Sequence, residues 1–568
     1  MRARIVKIIA ILLVCCNFLL GFTGANAVAF QDNSIESNNA DAFIKNNQST
    51  ADEAFDEFDK DNLPAYYSSV DLGYVTEIKS QRYNDCWAYA GLAAFESKLL
   101  HDGLEIESMS INHINVWATT HSDGYGWQRK VSNDGYAEIC TGYLTSWYGG
   151  VSESKADMLN ISEKDKGDSI TDEYTEYGTT AIKYLHKSNP DEIKRSIYKN
   201  GGVYTAYAQS SSCSYNFGTA YYMPESYSGS YIGHAIEVVG WDDNYSKDTF
   251  EKANVEKPKN NGAWLVKNSW GNYNSLGGYF WISYEDKHIF GEQYSPSYTI
   301  EDYEVIENKK LMQNEIFGAT YEFSYAQANE VSYINKFDFT EEYSNLDKIV
   351  FESTALGADY EIFYVPVDSK NEPIYSKESW TKLYSGKIDY QGYICADIED
   401  FDLQGKTGAI AITINTDDIN EGKNVGDDDY VFNSIGVNEW LQKITGESIF
   451  VNKSEHGKSY IMYNDEKLDL MDWYKQYNDD DIGGTFVIKA VTVSNKTDGD
   501  NPEYLFADVD LNGKVNILDA TAIQKYLAKL ITLSDKSVLI ADTNGDGKVN
   551  ILDATLIQKI LAKIVVID

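Results

Sequence analysis

The sequence predicts a multidomain α+β chain: a mixed helix-and-strand unit, then an antiparallel β-sandwich, then a small all-α unit. Three observations predict it. An Ala-rich apolar run at 87–100 reads as one buried helix, and strand-like runs follow it at 234–239, 263–267 and 278–284. Between 300 and 494 the chain turns to short β-branched and aromatic segments separated by turn residues. Near the C-terminus a nine-residue string recurs at an offset of 34 residues.

At 568 residues the chain is too long for one domain, and three or four units are expected. A hydrophobic share of 43% is ordinary for globular protein. The 44 tyrosines suit strands and half-buried surfaces, which supports much sheet. A net charge of −40 argues against nucleic acid and against an electrostatic hold on anionic membranes. It fits a soluble protein whose carboxylates can also hold cations.

Residues 1–27 read as a secretory leader. Arg2, Arg4 and Lys7 precede an apolar run at 8–22, and Ala25-Asn26-Ala27 forms a small-x-small cleavage site. The run is short for a membrane span of about 20 residues, and no later stretch is long enough. The mature chain is therefore expected outside the cell, without a membrane span. Residues 28–62 are polar and acidic, an acidic linker or a short propeptide. Without the leader the cysteines are Cys86, Cys140, Cys213 and Cys395. If Cys86 is a reactive thiol, the remaining three cannot all pair internally. Stability is then expected from cores and metal.

The first globular unit, 63–299, carries three segments with chemistry. They are SQRYNDCWAYA at 80–90, GHAIEVVGWDDNYS at 233–246 and AWLVKNSWGNYNSLGGYFWISY at 263–284. His234 and Asn268 lie 148 and 182 residues after Cys86. A Cys followed at such distances by a His and an Asn has the chain order of a cysteine nucleophile, its acid–base partner and an orienting amide. A free thiol has a pKa of about 8.5, and a helix N-terminus beside a cationic His favours the thiolate. His234 would then protonate the leaving amine, and Asn268 would orient the imidazole. Taken singly, Cys86 reads equally as a buried thiol, His234 as a core histidine and Asn268 as a turn residue. His113 and His121 stand in polar stretches and read as surface residues.

Together the three segments resemble papain-like cysteine peptidases, most of all bacterial members with an appended lectin-like domain. PAYYSSVDLGYVTEIK at 64–79 extends the likeness. The resemblance implies a two-lobed catalytic domain. It also implies that Gln81 donates to the oxyanion with the backbone N–H of Cys86, and that Trp270 shields the His–Asn bond. It places a Gly-rich substrate loop at Gly149-Gly150. The chain departs from the family around Gln81, which stands five residues before the Cys rather than six. Arg82, Asn84 and Asp85 replace small residues there, and Asp85 puts a negative charge beside the nucleophile. Residues 300–494 resemble the lectin-like domain that follows such peptidases. Glycan binding, substrate placement and bracing of the enzyme are all open for it.

A polar linker at 495–503 leads to the repeat, GKVNILDAT at 513–521 and again at 547–555. Calcium takes about six to eight oxygens, supplied by a loop of about 12 residues from positions 1, 3, 5, 7, 9 and 12. In the first loop these are Asp508, Asp510, Asn512, Lys514, Asn516 and Asp519; in the second, Asp542, Asn544, Asp546, Lys548, Asn550 and Asp553. The lysines would offer only their carbonyls. Gly513 and Gly547 fill the sharp turn. Two Ca²⁺ ions are expected. Helices are expected only after each loop, near 518–529 and 552–563. Over 504–568 this loop-helix duplication resembles the dockerin family. That resemblance implies a cohesin partner on a scaffold protein, of the kind found in cellulosomes of anaerobic fibre-digesting bacteria. It also implies partner contacts through Ile517, Leu518, Lys525 and Lys529, or equally through Ile551, Leu552, Lys559 and Lys563.

The reading is thus a secreted cysteine endopeptidase acting on polypeptides and tethered to a scaffold. Two alternatives are kept: acyl transfer by the same residues, and a catalytically inactive papain-fold binding or inhibitor protein.

Overall fold

The apolar run beginning at Cys86 forms a helix, Cys86–His101 (α1). The computed structural model that contains it describes residues 63–561 except 160, 173, 253–255, 292–295, 326–327, 404–406, 424–426, 428–429, 440, 443–447, 464–465, 478–482, 496–506, 512–514 and 545–547. The leader read at 1–27 and the acidic segment 28–62 lie outside the described residues.

Ala and Leu spacing without a β-branched run lets α1 form, and Gly103, at φ +85°, ends it. Every residue of α1 from Trp87 to Leu99 except Tyr89 is buried, as befits a helix surrounded by protein. Two short helices, Ile111–Trp117 (α2) and Ala137–Thr145 (α3), flank it. His113 stands on α2, fully buried, its Nδ1 2.7 Å from the Tyr143 hydroxyl. The surface reading of His113 is therefore corrected: Ser110 caps the helix and Asn112 faces outward, while the His113 ring points into the core.

Six strands form the sheet on which the helices pack: Tyr177–Leu185 (β1), Val203–Gln209 (β2), Ile232–Asp242 (β3), Ala263–Lys267 (β4), Tyr279–Ser283 (β5) and Ser297–Val305 (β6). Their lateral order is β1-β6-β2-β3-β4-β5. Register sets Tyr207 opposite His234, and Glu237 opposite Lys267.

The second half is a sandwich of antiparallel strands, as expected. They include Glu330–Asp338 (β7), Asn345–Ser353 (β8), Asp359–Val365 (β9), Gly392–Asp402 (β10), Thr407–Asn415 (β11), Ser459–Tyr463 (β12) and Ile488–Val493 (β13). One sheet runs β9-β11-β7-β12 and the facing one β13-β8-β10. Tyr333, Ile349, Phe351, Ile362 and Ile412 fill the space between. The strand expected over 485–493 changes sheets at Val487: Phe486 pairs with Val437, and Ile488 with Phe351.

The sandwich is not a bead on a string. Strand β10 joins β1 through the pairs Gly392–Lys183 and Tyr393–Ile182, so one sheet of 13 strands runs through both halves. Strand β6 itself crosses residue 300. The described residues form two compact units, one ending at Val493 and one starting at Ser494. Gly142 of α3 lies so close to the Phe317 carbonyl that any side chain there would strike it. Phe317 in turn meets Trp117 at 5.4 Å and Phe450 at 5.2 Å.

A buried ion pair fastens this junction. Lys489 Nζ on β13 lies 2.8 Å from Glu315, with side-chain exposures of 0% and 5%. Glu315 also accepts from the Phe317 and Gly318 N–H groups, at 2.9 and 2.6 Å. Removing the cation would leave a buried, uncompensated carboxylate. Lys489→Met is expected to cost about 3–5 kcal/mol, read as a lowered urea midpoint. An unchanged midpoint would show that the pair is dispensable.

The second unit holds Ile517–Leu527 (α4), Asp535–Ala541 (α5) and Ile551–Leu561 (α6). Its small core is Ala507, Val509, Ala520, Ile523, Ala541, Ala554 and Ile557. Helix α5, which runs into the second loop at Asp542, was not foreseen: a seven-residue helix capped by Ser534 gives little periodic signal. Among the described residues no helix is long and apolar enough to cross a membrane.

Candidate active site and metal loops

Packing α1 against β2 and β3, with β4 paired to β3, brings Cys86, His234 and Asn268 to one place. Cys86 is the first residue of α1 and keeps part of its surface exposed. Its Sγ accepts from the Ala235 N–H at 3.4 Å and from the Trp87 N–H. His234, buried on β3, directs Nε2 to Asn268 Oδ1 at 2.8 Å. Asn268 follows β4, and its amide donates to the Tyr273 hydroxyl at 3.1 Å. These bonds fix which way the amide faces, and the amide fixes the ring, leaving Nδ1 for other work. Trp270 stacks on the imidazole at 4.6 Å and 22°, the place expected for a shield.

Burial disfavours charge on each group alone. It pushes the Cys86 thiol up to about 11, with Asp85 and Asp134 adding to the rise. It pushes His234 down to about 4, against the bond from Asn268. A proton passed from thiol to imidazole would create opposite charges side by side, each offsetting the other's burial.

Gln81 is half-buried and bonded through both atoms of its amide. Its Oε1 accepts from Ser269 Oγ at 2.6 Å, and its Nε2 donates to the Tyr83 carbonyl at 2.8 Å. That second bond closes the shortened loop, and leaves one amide hydrogen for an oxyanion. Asp85 closes the same loop from the other end. It is buried, accepting from the Tyr83 N–H at 3.3 Å and from Asn115 Nδ2 at 2.9 Å. Arg129, whose guanidinium lies 4.8 Å over the Trp87 ring, partly offsets its charge. Neither Asn115 nor Arg129 carried a sequence signal, since each is brought in by a contact across the fold. Replacing Asp85 with Asn keeps the shape and removes the charge that raises the thiol. Asp85→Asn is expected to move the pH midpoint of Cys86 alkylation by iodoacetamide down by about half a unit to one unit. An unmoved midpoint would mean that Arg129 already cancels Asp85.

Gly149 and Gly150 are buried behind α3. It is Gly135 that lies flat against the Trp87 indole beside the nucleophile, where any side chain would strike the ring.

Behind these groups α1 is tied to the strands by polar bonds. Ser97 Oγ donates to Glu237 at 2.5 Å, and Lys267 Nζ lies 3.6 Å from Glu237 and 2.9 Å from Thr76 Oγ1. Thr76 in turn donates to Glu96. Cys140, Cys213 and Cys395 are free thiols.

In the second unit the described parts of the two loops share three bonds. Asp519, fully buried, accepts from the Asp510 N–H at 3.2 Å and the Asn516 N–H at 2.8 Å. Asp553, equally buried, accepts from Asn544 at 3.1 Å and Asn550 at 2.8 Å. Asn516 and Asn550 cap α4 and α6 through the Leu518 and Leu552 N–H groups. Asp508, Asp510 and Asp519 offer ligand oxygens within 4.8 Å of one another, an all-oxygen donor set that fits Ca²⁺. Asp542 and Lys548 lie among the described residues, and Asn512, Lys514 and Asp546 outside them. Ile517, Leu518, Ile551 and Leu552 are each more than half exposed.

A family model for papain family cysteine proteases matches residues 63–300, and one for the dockerin type I domain matches 506–562. Two solved structures are similar to the chain. One is the clostridial cysteine protease Cwp84, a cysteine-to-alanine variant after propeptide cleavage. It aligns at 31% identity and a TM-score of 0.64, over 75% of this chain and 99% of its own. The other comprises the cysteine protease and lectin-like domains of Cwp84, a surface layer associated protein of Clostridium difficile. It aligns at 30% identity and a TM-score of 0.63, over 76% of this chain and 89% of that one.

Proposed function

The chain belongs to the papain family of cysteine proteases and carries a dockerin type I domain, and from that premise we propose that it cleaves polypeptides outside the cell through Cys86, His234 and Asn268 while tethered to a cohesin-bearing scaffold. The observation that carries the reading is the 2.8 Å bond from His234 to Asn268 beside a thiol at a helix N-terminus.

His234 takes the proton of Cys86, and the thiolate attacks the peptide carbonyl. The oxyanion that forms meets the Cys86 N–H and the remaining amide hydrogen of Gln81. His234 then gives its proton to the leaving amine, and water, activated by the same ring, releases the acid product. Asn268 holds the ring in place throughout.

Calcium has a structural part. Asp508, Asp510, Asn512, Asn516 and Asp519, with the Lys514 carbonyl, would hold one ion. Asp542, Asn544, Asp546, Asn550 and Asp553, with the Lys548 carbonyl, would hold a second. Bound calcium would neutralise these carboxylates and set the helices that meet the cohesin. The likeness to a surface layer associated protease and the dockerin both support an extracellular place. The shared sheet and the Lys489–Glu315 pair support bracing as the role of the lectin-like half.

A peptidyl epoxide tests the site. With calcium and a mild reductant present, it is expected to alkylate Cys86 alone, located by peptide mapping, and only in folded protein. Labelling no faster than that of a free cysteine would favour the inactive binding protein.

A further inference from the structure

One strand of the lectin-like half reaches the segment that covers the nucleophile's neighbour. Trp87, the residue after Cys86, is buried under two parts of that segment. The Arg129 guanidinium lies 4.8 Å over its ring, and Gly135 lies so close that an added Cβ would stand 2.6 Å from the indole. Arg129 also ties the segment to itself, donating to the carbonyls of Asn133 at 2.6 Å and Asp134 at 3.2 Å. Residues 129–135 thus form a closed clasp on Trp87. Ser132, Asn133 and Asp134 on its outer side are exposed, Gly135 is half-buried, and Cys86 keeps part of its surface open. The clasp is therefore a rim beside the nucleophile.

The start of this clasp is held from the other half of the chain. Just before it, Gly126–Trp127 is a two-residue strand whose partner is Ser448–Val451. Gly126 stands opposite Val451, and Trp127 opposite Phe450. The Gln128 N–H donates to the Ile449 carbonyl at 2.8 Å. Trp127 and Phe450, 2% and 0% exposed, meet ring to ring at 5.0 Å. Trp127 also reaches Tyr136, at the far end of the clasp, at 6.4 Å. Bonds from the peptidase half are longer: Thr120 Oγ1 donates to the Trp127 carbonyl at 3.1 Å, and Arg129 donates to the Asn115 and Ala118 carbonyls at 3.5 Å. A strand of two residues has little stability of its own, so its place is set by what it pairs with.

We infer that strand Ser448–Val451 is a positioning element of the peptidase cleft, with Phe450 as its positioning residue. The lectin-like half then sets how tightly the enzyme holds a polypeptide beside Cys86. The inference rests on the peptidase reading above, and it goes beyond bracing because it ties one strand to substrate binding. Phe450 acts only through Trp127 and the clasp, as a rigid scaffold acts on the loop it carries.

The test is hydrolysis of an extended fluorogenic peptide by the full chain with calcium, kcat and KM being read separately, beside the rate of Cys86 alkylation by iodoacetamide. Phe450→Ala should raise KM about tenfold, with kcat and alkylation within about twofold of wild type. The peptide needs the rim in place, and iodoacetamide does not. Phe450→Leu refills much of the space and should give the same pattern at roughly threefold. It decides the matter if the alanine variant does not fold. Phe351→Ala, at a fully buried site in the sandwich core, should lower the thermal transition and leave KM unchanged. The inference falls if the folded Phe450 variants keep the wild-type KM, if they lose kcat and alkylation instead, or if Phe351→Ala raises KM as much. The peptidase reading survives each of those results. Failure of the wild type to cleave any peptide would overturn the peptidase reading, and this inference with it.

Discussion

Cys86→Ala is expected to leave a folded protein that no longer cleaves unstructured polypeptide, a loss of about 10⁴-fold or more. The change removes one sulfur and its two weak acceptor bonds from Ala235 and Trp87, so its effect on stability should be small. The effect on rate is large because the whole covalent route starts at that atom. No other thiol can take over. Burial pushes Cys140 and Cys395 up to about 12, and Cys213, raised to about 11 as Cys86 is, lies buried in the core rather than at a helix N-terminus beside His234. The measurement is hydrolysis of casein by residues 28–568 beside the variant, with reductant and calcium present. Equal cleavage by both would place the chemistry elsewhere. Cleavage by neither, in folded protein, would move the chain to the binding-protein reading. Gln81 would then be the first residue to suspect, because half of its amide closes its own short loop.

The parts of this molecule that were legible in its sequence are those fixed by local pattern or by chain order. Strand 263–267 and the start of α1 at Cys86 appear where apolar runs and a following glycine put them. His234 and Asn268 were legible because their chemistry demands a Cys upstream, whatever folds between. The calcium loops were legible because a ligand pattern written twice is hard to produce by other means. What was not legible depends on pairings between distant segments. Nothing in the two strands says that Tyr393 pairs with Ile182, yet that pairing turns two expected domains into one continuous sheet. His113 was misread because the polar residues around it do not mark a surface: Ser110 caps the helix and Asn115 bonds Asp85, and both are buried with it. Arg129 carries no sequence signal, and only the fold shows that it lies over Trp87. The contact of Gly135 with the Trp87 indole is likewise set by the fold and carries no sequence signal.

Removing calcium is expected to unfold the second unit and abolish cohesin binding while leaving peptidase activity intact. The unit depends on few apolar residues. Seven fully buried side chains form its core, four of them alanine. Against that stand Asp508, Asp510 and Asp519, with oxygens within 4.8 Å, and two acids, Asp519 and Asp553, with no exposure. Like charges so close repel strongly where water is scarce, by roughly 4 kcal/mol per pair at 4 Å in a partly shielded site. A divalent ion reverses that sign, so its binding energy becomes folding energy. The first unit carries its own cores. With excess EDTA, the full chain should therefore lose affinity for cohesin by about 10³-fold or more. Trypsin should then release everything beyond the linker, and casein should be cleaved at the original rate. Asp519→Ala combined with Asp553→Ala should reproduce the loss in saturating calcium, because both buried ligands are gone. Cohesin binding that survives chelation would refute calcium as the element that folds this unit. Loss of cleavage along with binding would show that the two units depend on one another in a way their separate cores do not suggest.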